Sequence, residues 1–462
     1  MEILKKAENI FVLLCLIIGM LFIIITPPFC VSDENSHMFK MWAITEGTMN
    51  FQKRTLDDGN TYAGTVVPKS LYILDIFTRD IPFHLENKFS ISSLNEMKKI
   101  PLDKDSKGFV TYFVPQYGIL SYMPGIIVLE IMKWLDLGPL YMLYILRFIS
   151  LITYMAIMYF AIKIMPIKKW LFALCALTPT AISLAAGIST DGLTISLMFL
   201  FTALVFNFAF NEKISKLSAK DIVILGLILL YITILKFPYG AIVFLLFVIP
   251  KEKFPENFSG VKTISLFTAM LFLYTLFTTL QSFHLGKGLT SLNPKILPVK
   301  DVLLYTIRHP EIIIQNILNS ISHDGLAWYA GSIAIFSWQD TVLPPHFYFM
   351  WSLVMLSIAI FADKNEPDTS ALNIKNKWIY FLVISLCIIV TYVVCYFLFS
   401  YEGLEGVRNM QGRYFIPTLP LFYLLFATNK KINLKGLKIF SLIAYTILIL
   451  DCILNIVRRF YL

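Results

Sequence analysis

Two adjacent carboxylates and an imidazole follow directly on the first apolar run, in Pro27-Pro28-Phe29-Cys30-Val31-Ser32-Asp33-Glu34-Asn35-Ser36-His37. A carboxylate so placed could take a proton as a general base or bind a cation. Proline lacks the backbone donor, so Pro27-Pro28 ends the preceding helix, and Ser32 is expected to cap a new one beginning at Asp33 and Glu34. On that helix Asp33 and His37 share a face, and the helix dipole favours negative charge at its start. The same two acids would equally suit the first turn of an ordinary surface helix. This stretch alone leaves both readings open.

Further ionisable residues stand in or beside apolar runs: Arg147, Asp191 after Ala-Ala-Gly-Ile-Ser-Thr, Lys236 before Phe237-Pro238, and Arg413 in Gln411-Gly412-Arg413-Tyr414. A charge at membrane depth is costly and marks a site by default. Each also has a plain structural use: Asp191 as a helix cap, Arg147 as a bridge between helices, Lys236 or Arg413 reaching to lipid headgroups. Taken together with Asp33 and Glu34, they point to an outward-facing polar cavity able to hold an anionic lipid headgroup.

The elements that must position these residues are membrane helices. Of 462 residues 57% are hydrophobic and 15% charged, against about 25% charged in soluble chains. The formal charge of +9 sits mainly in short lysine clusters between apolar runs, the pattern of the positive-inside rule, and is read as topology; nucleic acid is excluded as a partner. Five of the six cysteines lie within apolar runs, and no pair has metal-ligand spacing.

The reading is an all-α integral membrane protein, one polytopic domain over 1–462, with about eleven spans. They fall near 8–26, 140–163, 168–186, 191–211, 221–236, 239–250, 262–281, 346–362, 377–399, 414–428 and 437–456. The first is taken as a retained helix with its N-terminus inside, because no small-x-small cleavage site follows it. The run 239–250 is short and reads as part of a broken helix. The basic groups 163–169, 213–220, 251–262, 364–377 and 430–438 then share the inner side. Two large outer loops result, 27–139 and 282–345, the first with helices lying flat on the membrane. Whether 115–134, with Pro124-Gly125 and Glu130 inside it, crosses the bilayer stays open. Lys69 in the first loop is a further candidate for substrate charge. His323-Asp324-Gly325 with Trp328 and Tyr329 could form an acceptor platform, although Trp and Tyr also collect at membrane interfaces.

Pro27-Pro28, Asp33-Glu34 with His37, Pro115-Gln-Tyr-Gly, Thr190-Asp191, Trp338-Gln-Asp340-Thr-x-x-Pro344 and Gln411-Gly-Arg413-Tyr-Phe-Ile-Pro417 resemble a bacterial family of multi-spanning membrane proteins, domain-of-unknown-function family 2142. That family is in turn similar to the GT-C superfamily of membrane glycosyltransferases. The resemblance implies a GT-C-like fold in the bacterial cytoplasmic membrane, with the active site extracytoplasmic. It also implies a polyprenyl-phosphate sugar donor, an envelope glycan or lipid acceptor, and inversion at the anomeric carbon. Carried onto this chain, Asp33 is the candidate catalytic base and Glu34 its understudy. His37, Lys69, Arg147, Asp191, Lys236, Trp338, Asp340, Arg413 and Tyr414 form the substrate-binding set. Val31-Ser32 and Asn35-Ser36 depart from the family's proline-rich lead-in and Pro-Ala.

No Gly-x-x-x-x-Gly-Lys-Ser/Thr or Gly-x-Gly-x-x-Gly loop occurs, so nothing suggests a soluble nucleotide. No cofactor is certain. A divalent cation on Asp33, Glu34 or Asp191 could offset phosphate charge, but no ligand spacing commits to one. A transporter or flippase of a lipid-linked saccharide is the competing class; it should show internal repeats, and none is evident. A catalytically silent scaffold comes third.

Overall fold

A computed structural model describes residues 6–48, 52–55, 61–111, 117–256, 259–284, 299–363, 370–399, 407 and 410–462. The basic start at 1–5, Asp57 and Asp58, Pro115 and Gln116, 285–298 of the second outer loop, and 364–369 of one basic group lie outside the described residues.

The chain opens with α1 (Ala7–Ile25), which ends where Pro27-Pro28 withdraws its donors. The first long polar region then holds α2 (Glu34–Thr45), β1 (Gln52–Thr55), β2 (Thr61–Pro68), α3 (Lys69–Ile76), α4 (Ile91–Met97) and β3 (Lys107–Thr111). The strands form one antiparallel sheet in the order β1-β2-β3, with Arg54 opposite Tyr62 and Val66 opposite Phe109. The all-α expectation is corrected here. Strands of four, eight and five residues, rich in Thr and Val but also in charge, are too short and too polar to stand out beside long membrane runs.

The stretch 115–134, left open above, holds only a short helix among its described residues. Its helix, α5 (Gly125–Trp134), has ten residues, about 15 Å, half of a hydrocarbon core. Ile127, Ile131 and Trp134 are exposed on one face of α5.

From here the chain runs through α6 (Pro139–Ile164), α7 (Lys169–Ala176), α8 (Pro179–Ala185), α9 (Asp191–Phe210) and α10 (Ala219–Leu235). The second long region between expected spans holds α12 (Val299–Arg308) and α13 (Pro310–Ala334) after α11 (Gly260–His284), then a hairpin of β4 (Ile335–Phe336) and β5 (Thr341–Val342). The chain closes with α14 (Pro345–Ile360), β6 (Ala362–Asp363), α15 (Ile374–Phe399), α16 (Leu419–Leu424), β7 (Lys431–Ile432) and α17 (Leu434–Tyr461).

Among the described residues, five helices are long and apolar enough to cross a membrane, lying in α1, α6, α9, α15 and α17. Of the other six segments expected to cross, 262–281 lies in the unbroken 25-residue α11, and the remaining five are helical but shorter or broken. The run 168–186 is split into α7 and α8 at Thr178-Pro179. The run 239–250 is a 3-10 helix, Phe237–Val248. The run 414–428 is a 3-10 helix, Gly412–Thr418, continued by α16. A 3-10 helix rises about 2.0 Å per residue instead of 1.5, so these short segments reach about 23 Å.

Close helix approach substitutes for a hydrophobic drive inside lipid. A Cβ on Gly19 of α1 would stand 2.5 Å from a methyl of Leu151 on α6, so a larger residue there would have to push that side chain aside.

Lysines cap carbonyls at one end of the bundle. Lys168 donates to Ala359 O and Phe361 O, Lys377 to Ala427 O, and Lys253 to Phe208 O and Asn211 O. An ammonium there satisfies carbonyls that a helix end leaves open and favours its negative pole. β6 pairs with β7 at this same end. Asp33, Asp191, Lys236 and Arg413 lie at the other.

Candidate functional site: a charged tetrad at the ends of membrane helices

Asp33 is not the first residue of a helix capped by Ser32. It is the N-cap of α2 itself, with φ of 61°, while Ser32 Oγ donates to the backbone oxygen of Ser337. The left-handed turn, tolerated by aspartate better than by bulkier residues, carries the carboxylate out of the helix line. Its Oδ2 meets Arg413 Nη2 at 2.7 Å, and its Oδ1 accepts no bond among the described residues. The side chain keeps 26% of its exposure.

Arg413 also reaches Asp191, Nη1 to Oδ2 at 3.3 Å, and the other oxygen of Asp191 bonds Lys236 Nζ. The result is an alternating chain, Asp33–Arg413–Asp191–Lys236, with no net charge. Tyr414 lies beneath both cations, 4.9 Å from Lys236 Nζ and 5.6 Å from the Arg413 guanidinium, and its backbone oxygen accepts from Tyr239. Arg413 Nε is buried without a partner.

Helix ends bring these residues together: Asp191 opens α9, Lys236 ends α10, and Arg413 lies in the 3-10 turn after Gly412. That turn sits against α13 backbone to backbone. A Cβ on Gly412 would stand 2.4 Å from Trp328 O and 2.5 Å from Gly331 Cα, which is why glycine precedes the arginine. Trp328 stacks on Phe415 at 5.5 Å, and Tyr329 bonds Ser352 and Tyr423. The aromatic pair weighed as an acceptor platform packs α13 into the bundle.

His37 lies one turn along α2, its Nδ1 2.9 Å from Tyr122 Oη and its ring 5.5 Å from that of Tyr117. Burial lowers its pKa to about 4, although Asp33 and Asp191 pull the other way. It is a neutral imidazole at pH 7.

Glu34 and Arg147 do not join the tetrad. Both are fully buried and face each other through two bonds, Nε–Oε1 at 2.8 Å and Nη2–Oε2 at 2.6 Å. Glu34 also accepts from the amides of Phe29 and Ile188, and Arg147 donates to the carbonyls of Ile23, Thr26 and Pro27. The carbonyls left open by the end of α1 are thus satisfied from α6. With each Glu34 oxygen accepting two bonds, neither an understudy base nor a substrate-binding arginine is on offer here.

Three more of the expected substrate set stand elsewhere. Lys69 is exposed at the head of α3 in the sheet region. Trp338 donates to Phe29 O at 3.3 Å and packs on Phe83. Asp340 accepts from Arg459 and from the amide of Phe83, both at 2.9 Å, tying the β4–β5 hairpin to the end of α17. The sequence reading missed Arg459; its only signal was a basic pair at 458–459 at the end of an apolar run.

No group of three His, Cys, Asp or Glu among the described residues could hold a metal ion. Asp33 and Asp191 already answer Arg413 and Lys236, so a cation would have to displace the guanidinium, and the donor set does not fit one.

The model of a family described as a predicted membrane protein, domain of unknown function 2142, matches residues 16–422. The chain belongs to this family. The match takes in Asp33, Asp191, Lys236 and Arg413, so the whole tetrad falls within the family's own extent. No curated protein and no solved structure matches the chain.

Proposed function

We propose that this membrane protein is a glycosyltransferase, moving a sugar from a polyprenyl-phosphate donor to an envelope acceptor outside the cytoplasmic membrane of a bacterium. The observation that carries the reading is Asp33: a partly exposed carboxylate with one oxygen unbonded among the described residues, at the end of a run of cations fit for phosphate. The gathering of the described lysine caps at the opposite end supports an inner face there, by the positive-inside rule. Eleven crossings and a GT-C-like architecture belong to the same proposal.

In the resting tetrad Arg413 is shared between two carboxylates. A donor phosphate presents a better-matched fork for its two terminal nitrogens, and Lys236 adds a second charge. As Arg413 turns to the phosphate, Asp33 is freed. Its Oδ1 removes the proton from the acceptor hydroxyl, the oxygen attacks the anomeric carbon from the face opposite the phosphate, and the carbon–phosphate-oxygen bond breaks. Polyprenyl phosphate leaves with the electron pair, its negative charge held by Arg413 and Lys236. Neutral His37, with Tyr122, offers an uncharged wall that orients the acceptor without competing for the phosphate.

The test is release of polyprenyl phosphate from a panel of polyprenyl-phosphate sugars by purified protein with a glycan or lipid acceptor. Arg413→Lys keeps the charge but loses the fork and should lower turnover by about tenfold or more. Unchanged turnover in that variant would contradict the assignment.

A further inference from the structure

Of the seven non-glycine residues with a left-handed φ among those described, five gather at one junction: Phe29, Asp33, Phe83, Ser337 and Gln339. Strain of this kind persists only where the surroundings enforce it, and it collects at functional sites. The junction has three sides. The first is the loop from α1 to α2, which ends on Asp33. The second is the turn between β4 and β5, which rests on that loop through two bonds. Ser32 Oγ donates to Ser337 O, and Trp338 Nε1 donates to Phe29 O at 3.3 Å. Ser337 and Gln339 also share a small crevice with Ser32 and Arg413, so the turn stands close to both members of the Asp33–Arg413 pair. The third side is the end of α17 with the segment 81–89 laid against it. Lys88 Nζ donates to the carbonyls of Arg458 and Arg459, and Phe89 N to that of Phe460.

Arg459 locks the second side to the third. Its Nη2 donates to Asp340 Oδ2 at 2.9 Å and to Ile81 O at 2.7 Å, and its Nη1 to Asn87 O at 3.3 Å. The same Asp340 oxygen accepts from Phe83 N at 2.9 Å. Both side chains of the pair are buried. A buried ion pair is weak evidence for stability, and its best-attested use is to fix one arrangement against others. We propose that Arg459 is a positioning residue for Asp33, a statement that rests on the glycosyltransferase reading above. Through Asp340 it holds the turn, and the turn holds the loop in the left-handed conformation that aims the Asp33 carboxylate at Arg413. With the turn released, residue 33 relaxes toward the right-handed region, which costs an L-residue less. Its carboxylate then leaves the place where the acceptor hydroxyl arrives. Arg413 and Lys236 make no bond to the turn, so the donor phosphate keeps its cations.

The test measures release of polyprenyl phosphate by purified protein, per folded molecule, with thermal unfolding as the fold control. Arg459→Met breaks the ion pair. Ser32→Ala combined with Trp338→Phe leaves that pair in place and cuts only the two bonds between turn and loop. Each is expected to lower kcat about tenfold or more, since a misplacement of about 1 Å can cost about 10²-fold. KM for the donor should be unchanged or lower. Arg459→Lys, which keeps a charge for Asp340, should lose less than Arg459→Met. Added to Asp33→Asn, neither change should lower the remaining turnover further, because residues that act as a unit are not additive. A loss of the same size in the Asp33→Asn background would overturn the positioning role while leaving the transferase reading in place. So would a raised donor KM with kcat unchanged, or wild-type kcat in the folded Ser32→Ala, Trp338→Phe protein. If Arg459→Met does not fold, that second protein decides alone. A wild type that releases no polyprenyl phosphate would overturn both readings.

Discussion

Replacing Arg147 by Met tests whether the Glu34–Arg147 pair is an anchor and not part of the chemistry. The variant keeps most of the side chain's volume but leaves a fully buried carboxylate facing only the amides of Phe29 and Ile188. Breaking a buried pair by removing one partner costs about 3–5 kcal/mol. Here the three carbonyls of Ile23, Thr26 and Pro27 lose their donor as well, which places the cost at the upper end. Glu34→Gln alone strands the guanidinium and should cost about as much, whereas the double variant removes both charges and should cost less than the sum of the singles by about 1–3 kcal/mol. Reversible unfolding in mixed micelles, followed by tryptophan fluorescence, gives the four free energies of the cycle. Additive losses, or single losses below about 1 kcal/mol, would refute the anchor.

Other consequences are sharper in direction than in size. His37 has its pKa lowered by burial to about 4 from 6.5. The unfolded chain therefore binds a proton that the folded one refuses, so this contribution is full above pH 6.5 and is lost as pH falls toward 4, by about 3 kcal/mol in all. His37→Gln should flatten the acid limb of a stability-against-pH curve by that amount, and an unchanged limb would contradict the burial. Gly412→Ala forces a methyl to within 2.4 Å of Trp328 O; it should cost about 1–3 kcal/mol and displace Arg413, read as lower thermal stability together with lower turnover. Lys168→Met removes two charged hydrogen bonds from the end of α14 and should cost about 2–3 kcal/mol without changing turnover per folded molecule.

Apolar length made the membrane class and the five long spans legible, since nothing else in a sequence looks like nineteen or more nearly uncharged residues. Proline and glycine marked breaks correctly at Pro27-Pro28 and before Arg413, whereas the break at Thr178-Pro179 inside the expected span 168–186 was passed over. The sheet was not legible, because its strands pair residues from 52 to 111 across polar sequence whose alternation is weak. Within the site, an apolar context singled out Arg147, Asp191, Lys236 and Arg413 alike, but it carries no information about pairing. Arg147 lies two turns into α6 and meets Glu34, whereas Arg413 at a helix start meets Asp33 and Asp191. The neighbours Asp33 and Glu34 point to different partners because a single left-handed residue separates their directions, and φ is not written in a two-letter string. Trp338 and Asp340 were visible as a motif, but their work is to hold a strained hairpin.

The most direct test of the central claim sets Asp33→Asn beside Glu34→Gln in one assay of polyprenyl phosphate release, with folding of each variant checked by thermal unfolding. The account predicts that Asp33→Asn stays folded and loses about 10²–10⁴-fold in turnover, the usual range for one positioned general base. Glu34→Gln should lose stability and keep its turnover per folded molecule. Full turnover by folded Asp33→Asn would contradict the account, whatever the other variant does.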